Sequence, residues 1–100
     1  MQHDSDVAAP HWGKVRSSIE LGQRIATARQ DQDLTQSDLA SWIAVDRTTV
    51  VRLEKGRVGQ IERLFEVLGT LGLDVVVVPR NARVVVVPRN ARVVVTPPPS

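Results

Sequence analysis

The sequence has no cysteine and no tyrosine, and aromatic residues make up 3% of the chain. Without cysteine the protein can form no disulfide bond, no thiolate metal site and no cysteine nucleophile. Its two histidines, His3 and His11, belong to no cluster with metal-ligand spacing. The sequence also shows no nucleophile beside a base, no evident pair of carboxylates and no glycine-rich phosphate loop. We therefore expect neither an enzyme nor a site for a metal or a cofactor.

Long apolar runs are also missing, since the longest contain four valines. Such runs are too short to span a membrane, and the N-terminus has no basic segment followed by an apolar one. We expect a soluble cytoplasmic protein with no membrane partner. The formal net charge of +2 is uneven: residues 19–73 carry seven basic and eight acidic side chains, whereas residues 74–100 carry four arginines and one aspartate. Only the local placement of charge can therefore argue for nucleic-acid binding.

Apolar residues recur at helical spacing in four segments and predict four helices, each with one buried face. The first covers about residues 18–31, with Ser17 as its N-cap and Glu20 completing a capping box. Thr35 and Asp38 form a second box in front of a short second helix. The residues predicted to face the core are Leu21, Ile25, Ala28, Leu39, Ala40, Ile43, Val50, Leu53, Ile61, Leu64, Phe65 and Leu68.

A three-residue turn, Ala44-Val45-Asp46, separates the second helix from the third. Asp46 can cap the third helix, which runs from Arg47 to Lys55 and stops at Gly56, and a fourth helix stops at Gly72. Two short capped helices joined by such a turn indicate a helix-turn-helix, whose second helix enters the DNA major groove. The alternative is a solvated helical hairpin in a small all-α domain.

The outward side chains of the third helix suit DNA. Arginine pairs with guanine, threonine contacts a base or a thymine methyl, and lysine suits phosphate. Gln36 and Ser37 open the second helix, where free N–H groups and a positive dipole end would face the DNA backbone. The outward positions of the third helix are Arg47, Thr48, Val51, Arg52 and Lys55.

Three segments resemble the lambda-repressor-like helix-turn-helix domains of phage and plasmid regulators: Leu21–Arg29, Leu34–Ala40 and Val50–Gly56. The resemblance covers residues 17–73, and its specific part is Leu-Thr-Gln-x-x-Leu-Ala followed downstream by Leu-Glu-x-Gly. It implies that the protein binds a double-stranded DNA operator. The implied base-reading residues are Arg47, Thr48 and Arg52; the implied DNA-backbone contacts are Gln36, Ser37, Lys55 and Arg57.

The resemblance further implies an ion pair between Arg29 in the first helix and Glu54 in the third. A partly buried charge needs such a partner, although solvation of each side chain separately is the alternative. The sequence departs from the family at Ala44, where a left-handed residue is usually glycine, and at Trp42, where a polar side chain is usual. Trp42 either marks a partner surface or folds over the first helix.

The stretch from Ile61 to about residue 80 resembles HipB-type antitoxins. That resemblance implies a mainly α fold of four to five helices, followed by a strand over residues 74–80 that pairs across a homodimer. Its valines are Val75, Val76, Val77 and Val78. Such proteins are nucleoid-associated autorepressors that also restrain a HipA-type kinase toxin.

The ends of the chain match no family pattern. Residues 1–16 are expected to be a flexible leader. Residues 75–83 repeat identically as 84–92, and a third partial copy follows, so residues 81–100 form a Val/Pro/Arg tail expected to be marginally ordered. Its second valine block could add an outer strand, through a hairpin, to the predicted strand at residues 75–78.

Two other functions are also compatible with the sequence. One is a stand-alone regulator of the same fold with no toxin partner. The other makes the valine tail a self-assembly module and the helical part a scaffold for it.

Overall fold

A computed structural model of the protein describes residues 13–87 and 92–96. Val15–Asp74 is one compact unit, and Lys14 and the described residues from Val75 onward belong to a second. The expected flexible leader lies, up to residue 12, outside the described residues.

Four α-helices lie within the described residues and confirm the four predicted from periodicity. The third ends one residue earlier than predicted, because Lys55 is its C-cap. The helices are α1 (Ser18–Asp31), α2 (Gln36–Trp42), α3 (Arg47–Glu54) and α4 (Ile61–Thr70).

The predicted capping box at the start of α2 is confirmed. The Thr35 hydroxyl accepts from the Asp38 backbone N–H at 3.0 Å, and the Asp38 carboxylate accepts from the Thr35 backbone N–H at 2.9 Å. Hydrogen bonding from the Thr35 backbone, and then from its side chain, lowers the pKa of Asp38 because these bonds favour the charged carboxylate. The box therefore fixes where the helix-turn-helix begins.

The caps of α1 and α3 differ from the prediction. Ser17 accepts from the Glu20 backbone N–H, but the Glu20 carboxylate reaches past Ser17 to the backbone N–H of Arg16, at 2.6 Å. Asp46 occupies the N-cap position of α3, yet its carboxylate accepts no capping hydrogen bond from any described residue. Among the described helices, only α2 therefore starts with a complete capping box. The position of α3 depends on contacts other than a side-chain cap.

All four helices end in one backbone motif, in which a residue with positive φ follows the last turn. The next N–H then donates to the carbonyl five residues back. Ala44, with φ of 57°, has the left-handed conformation predicted for that position, although it lacks glycine's freedom. The four bonds, each 2.8–3.2 Å long, join Leu34 to Arg29, Val45 to Ala40, Arg57 to Arg52 and Leu73 to Leu68.

The apolar core lies between the four helices. Ile25, Leu39, Val50 and Val67 are its largest fully buried side chains, one from each helix. The side chains of the buried cluster are Ile25, Ala28, Leu39, Ala40, Val50, Leu53, Leu64, Val67, Leu68 and Leu71.

The predicted core stripe of α4 is wrong at two positions. Ile61 and Phe65 are 60% and 53% exposed, whereas Val67 is fully buried. The buried side of α4 is centred on Leu64 and Leu68, and Phe65 lies about 100° around the helix from Leu64. A stripe read from the first apolar residue of the helix therefore points partly into solvent.

A close approach of two helix backbones sets the position of α3. A Cβ added at Gly22 in α1 would lie 2.5 Å from the Glu54 carbonyl oxygen and 2.6 Å from that of Leu53. Two residues beyond the same end of α3, a Cβ at Gly56 would lie 2.8 Å from the backbone of Ile19. Because glycine occupies both sites, the C-terminal end of α3 packs directly on the backbone of α1.

The second unit contains a β-hairpin at a different place from the predicted one. β1 (Arg83–Val87) pairs antiparallel with β2 (Arg92–Thr96), so the second valine block joins the third copy. The predicted strand over Val75–Val78 has no regular structure in this single chain, and its pairing across a dimer stays a prediction. A hydrogen bond of 3.0 Å from Ala82 N–H to the Pro79 carbonyl forms a turn before β1.

Candidate nucleic-acid interface

Helix α3 has a buried side and a strongly basic exposed side. Val50 and Leu53 are 0% and 4% exposed and fix the helix to the core. The other side places Arg47, Thr48 and Arg52 in solvent, followed by Lys55 and Arg57 beyond the helix end. The predicted base-reading residues therefore lie on an accessible surface that is anchored from behind.

Arg29 and Glu54 form an ion pair between α1 and α3. Arg29 Nε lies 2.5 Å from Glu54 Oε2, Nη2 lies 3.1 Å from Oε1, and the two side chains are 10% and 8% exposed. Arg29 Nη1 also donates to the Leu34 carbonyl at 2.6 Å, in the connection between α1 and α2. A bidentate, hydrogen-bonded pair at this depth holds two helices and a loop at fixed positions.

Gln36 extends this ion pair toward the exposed face of α3. Its Nε2 donates to Glu54 Oε1 at 3.0 Å, and its Oε1 accepts from Arg47 Nη2 at 3.0 Å. The first residue of α2 thus touches both the last residue of α3 and the first. Arg47 is thereby positioned by a continuous chain of side chains that starts at the buried Arg29.

The network satisfies buried charge and leaves donors at the surface. Both Glu54 oxygens accept hydrogen bonds, so the carboxylate needs no water. Gln36 has a second amide N–H, and the exposed Arg47 has four N–H groups besides the one bound to Gln36. These donors can address a base edge or a phosphate oxygen.

A cleft of about 610 Å³ lies between the end of α3 and the start of α4. Its lining includes Arg52 and Arg57, which the sequence analysis predicts to contact DNA. It also includes Gln60 and Arg63, for which no DNA contact was predicted. Arg63 Nη1 also pairs with Glu66 at 2.7 Å on the exposed face of α4. The signal that could have found Arg63 is its place in the first turn of a helix that follows a basic loop.

The other predicted site residues make no such cluster. Ser37, Thr48 and Lys55 are exposed, and within the described ranges they make no side-chain bond to another predicted site residue. Val75–Val78 belong to the second unit. Trp42 is 61% exposed, so its indole does not fold over α1.

Among the described residues, no cluster of His, Asp and Glu could hold a metal ion. No helix in the same ranges is long and apolar enough to cross a membrane.

Comparison with known proteins points to one family. A family described as helix-turn-helix domain matches residues 6–79. An uncharacterised HTH-type transcriptional regulator of Sinorhizobium fredii is 28% identical over 71 residues, which are 70% of this chain and 93% of that protein.

Solved structures support the same fold. A HipA–HipB–O2–O3 complex and a HipB–O4 20-mer complex each have a TM-score of 0.63, with 24% identity over 69% of this chain and 99% of the matched chain. A HipB–O1–O2 complex has a TM-score of 0.62, with 25% identity over 68% of this chain and all of the other. The chain therefore belongs to the helix-turn-helix domain family of DNA-binding regulators.

Proposed function

We propose that the protein is a sequence-specific autorepressor that binds a double-stranded DNA operator as a homodimer and acts as the antitoxin of a HipA-type kinase. In this proposal Arg47, Thr48 and Arg52 read bases. The DNA backbone is bound by Gln36, Ser37, Lys55 and Arg57, with Gln60 and Arg63 added by the shared cleft. The catalytic partner, the kinase, is a separate protein, and this chain has no catalytic role.

The observation that carries the DNA-binding proposal is the connected set Arg29–Glu54–Gln36–Arg47. It joins three helices and ends at the first exposed side chain of α3. Base reading requires a side chain held in a narrow range of positions, because a bidentate contact tolerates little displacement. The bond from Gln36 restricts the positions that the Arg47 guanidinium can take, which is what such a contact requires.

Dimerisation through Val75–Val78 rests on exposure and unpaired backbone. Val75, Val76 and Val77 are 53%, 54% and 93% exposed, and no backbone hydrogen bond within the described part of the chain involves these residues or Val78. A short strand is not stable in water unless its ladder is paired. Pairing with the same strand of a second copy satisfies the ladder and places two recognition helices on one face of the DNA.

The antitoxin role rests on two features. The fold is similar to that of HipB chains in a HipA–HipB–O2–O3 complex and in a HipB–O4 20-mer complex. Trp42, which breaks the polar pattern of α2, presents a large apolar side chain to solvent at 61% exposure. Exposed tryptophans are enriched in protein interfaces, where they bury much area at little entropic cost. The alternative is a stand-alone regulator of the same fold with no toxin partner.

DNA reading is tested with the segment upstream of the gene as cognate probe and shuffled DNA as control. We expect Arg47→Ala to cost about 1–3 kcal/mol of binding free energy on cognate DNA and to relax preference at one base pair. Lys55→Ala is the matched comparison: it should weaken all sequences alike and reduce the slope of log K against log salt by about one. Fluorescence anisotropy over a salt series measures both.

Two results would contradict these assignments. Equal loss of cognate and shuffled binding in Arg47→Ala would show that Arg47 does not read bases. An unchanged salt slope in Lys55→Ala would remove Lys55 from the backbone contacts.

The antitoxin role is tested by purifying the protein from its native cells with the products of neighbouring genes. We expect a kinase to co-purify with the unchanged chain. The amount of kinase recovered should fall with Trp42→Ala and stay the same with Trp42→Phe. Operator binding by Trp42→Ala should stay normal. Recovery of the protein with DNA alone would favour the stand-alone regulator.

A further inference from the structure

The valine repeat offers two hairpins with identical connecting sequences and nearly identical strands, and the structure forms one of them. The unit Val-Val-Val-Val-Pro-Arg-Asn-Ala-Arg occurs at residues 75–83 and again at 84–92, and Val-Val-Val follows at 93–95. In the observed hairpin Val87 is paired with Arg92 across residues 88–91. The equivalent hairpin one copy earlier would pair Val78 with Arg83 across residues 79–82.

The local sequence does not prefer either hairpin. The earlier connection already contains a turn, since Ala82 N–H donates to the Pro79 carbonyl at 3.0 Å. The Lys14 ammonium donates to the carbonyls of Arg80 and Ala82, at 3.0 and 2.7 Å, so this turn has a support of its own. Yet Val75–Val78, which have the same sequence as the four valines of β1, belong to no strand.

The repeat length explains why both hairpins do not form together. In an antiparallel ladder the N–H and C=O groups of successive residues point to opposite edges of the strand. Arg83 and Val87 are four residues apart in β1 and therefore point to the same edge. A three-stranded meander with two identical connections would place the second valine block between the first and the third. Val87 would then have to direct its N–H and C=O groups toward one of these neighbours, and Arg83 would have to direct its groups toward the other. A repeat of nine residues forbids that arrangement unless the two connections differ.

The second valine block can therefore pair with the first or with the third, but not with both in the same way. When it pairs with the third, the backbone of Val75–Val78 forms no ladder with any described part of the chain. When it pairs with the first, Val75–Val78 are consumed within their own chain. These two states have hairpins of nearly equal sequence, and they differ in whether a strand is free for a second copy.

We propose that the β1–β2 hairpin keeps Val75–Val78 available to pair with the same segment of a second copy, by occupying the valine block that would otherwise pair with it. The inference rests on the proposed homodimer and adds a role for the repeated tail. The third valine block supports dimerisation without lying in the dimer interface. Its removal should weaken the dimer, because the second block then turns back onto the first.

Three proline variants at equivalent positions of the full chain test this: Val76→Pro, Val85→Pro and Val94→Pro. Proline removes one N–H from a ladder and is excluded from paired strand interiors. We expect Val76→Pro to be monomeric and Val85→Pro to dimerise like the unchanged chain. Val94→Pro should dimerise less tightly. If half of its chains adopt the competing hairpin, the apparent dimer dissociation constant rises about fourfold, because both partners must be competent.

Sedimentation equilibrium measures the three constants, and each result is decisive. Tight dimerisation of Val94→Pro beside monomeric Val76→Pro would overturn this inference and leave the strand-paired dimer in place. A weakened dimer of Val85→Pro would place β1 in the interface and overturn the inference as well. Tight dimerisation of Val76→Pro would remove the dimer strand, and the inference with it.

A second readout follows the pairing directly, since the chain has no cysteine of its own. The paired substitutions Val87→Cys and Arg92→Cys should form a disulfide in the otherwise unchanged chain, and the pair Val78→Cys and Arg83→Cys should do so poorly. Adding Val94→Pro should raise the yield of the 78–83 disulfide severalfold. No change in that yield would show that the two hairpins do not compete.

Discussion

The helical unit and the valine tail differ in how far their sequences determine which elements pack together. In Val15–Asp74 each junction carries its own sequence: a capping box at Thr35, a contact that only glycine permits at Gly22, an ion pair between Arg29 and Glu54. In the tail one nine-residue unit is repeated, so two possible hairpins share the same connecting sequence and differ only at their first and last residues. A varied sequence has one consistent pairing of its elements, whereas a repeated one has several.

The difference between the two regions shows that strand propensity alone does not define a single fold. Valine is a strong strand former, and the tail therefore has β-propensity in abundance. Propensity does not decide which block pairs with which, and the nine-residue repeat excludes both pairings at once without favouring either. In the helical unit single side chains make that choice, so single substitutions there should have large effects.

The largest effect is expected at the buried ion pair. Arg29→Ala and Glu54→Ala should each lower the free energy of unfolding by about 3–5 kcal/mol, because each leaves an uncompensated buried charge. The matched control is the exposed pair Arg63 and Glu66, with side chains 36% and 56% exposed. Its single alanine variants should change stability by less than about 1 kcal/mol. Urea denaturation with a double-mutant cycle for each pair measures the difference.

Equal coupling energies for the two pairs would contradict this expectation. It would mean that Arg29 and Glu54 are no more important to the fold than a surface pair.

A smaller but still large effect is expected where α1 and α3 touch. Gly22→Ala should cost about 1–3 kcal/mol or more, since a Cβ there meets two carbonyl oxygens and the backbones must separate. Gly69→Ala is the matched control, because Gly69 is helical and a Cβ there meets nothing within 4 Å. That variant should be unchanged or up to about 1 kcal/mol more stable, as alanine favours helix. Thermal unfolding followed by circular dichroism compares them, and a tolerated Gly22→Ala would show that the two backbones can move apart.

The helical unit was largely predictable from sequence because its signals are local. Apolar spacing fixed the four helices, and Thr35 with Asp38 fixed the start of α2. The predictions that were wrong concern positions where the local sequence is compatible with two arrangements of the side chain. Glu20 caps through Arg16 instead of closing a box, and Phe65 belongs to an apolar stripe wider than the surface that the core can cover.

The site was predictable in its residue types and less so in its connections. Exposure of Arg47, Thr48 and Arg52 follows from helical periodicity once Val50 and Leu53 are buried. The bridge through Gln36 depends on the angle between α2 and α3, which no local pattern encodes. Arg63 lines the cleft because α4 follows a short loop, and its place there was therefore not visible in the motif. In the tail, the hairpin between the second and third blocks could not be chosen from sequence, since the connections before and after the second block are identical and the third block differs from it only by Thr96 in place of a fourth valine.

The smallest expected effect is at the turn of the helix-turn-helix, where Ala44 has φ of 57°. A left-handed residue with a Cβ costs about 1–2 kcal/mol, and glycine removes that strain. Glycine also loses about 0.5–1 kcal/mol more conformational entropy on folding, so the net gain for Ala44→Gly is about 0.5–1 kcal/mol. Ala26→Gly is the same chemical change inside α1, where it should destabilise by about 1 kcal/mol. Opposite signs in urea denaturation confirm that Ala44 is strained; a loss of stability in both variants would mean that the turn accepts alanine without strain.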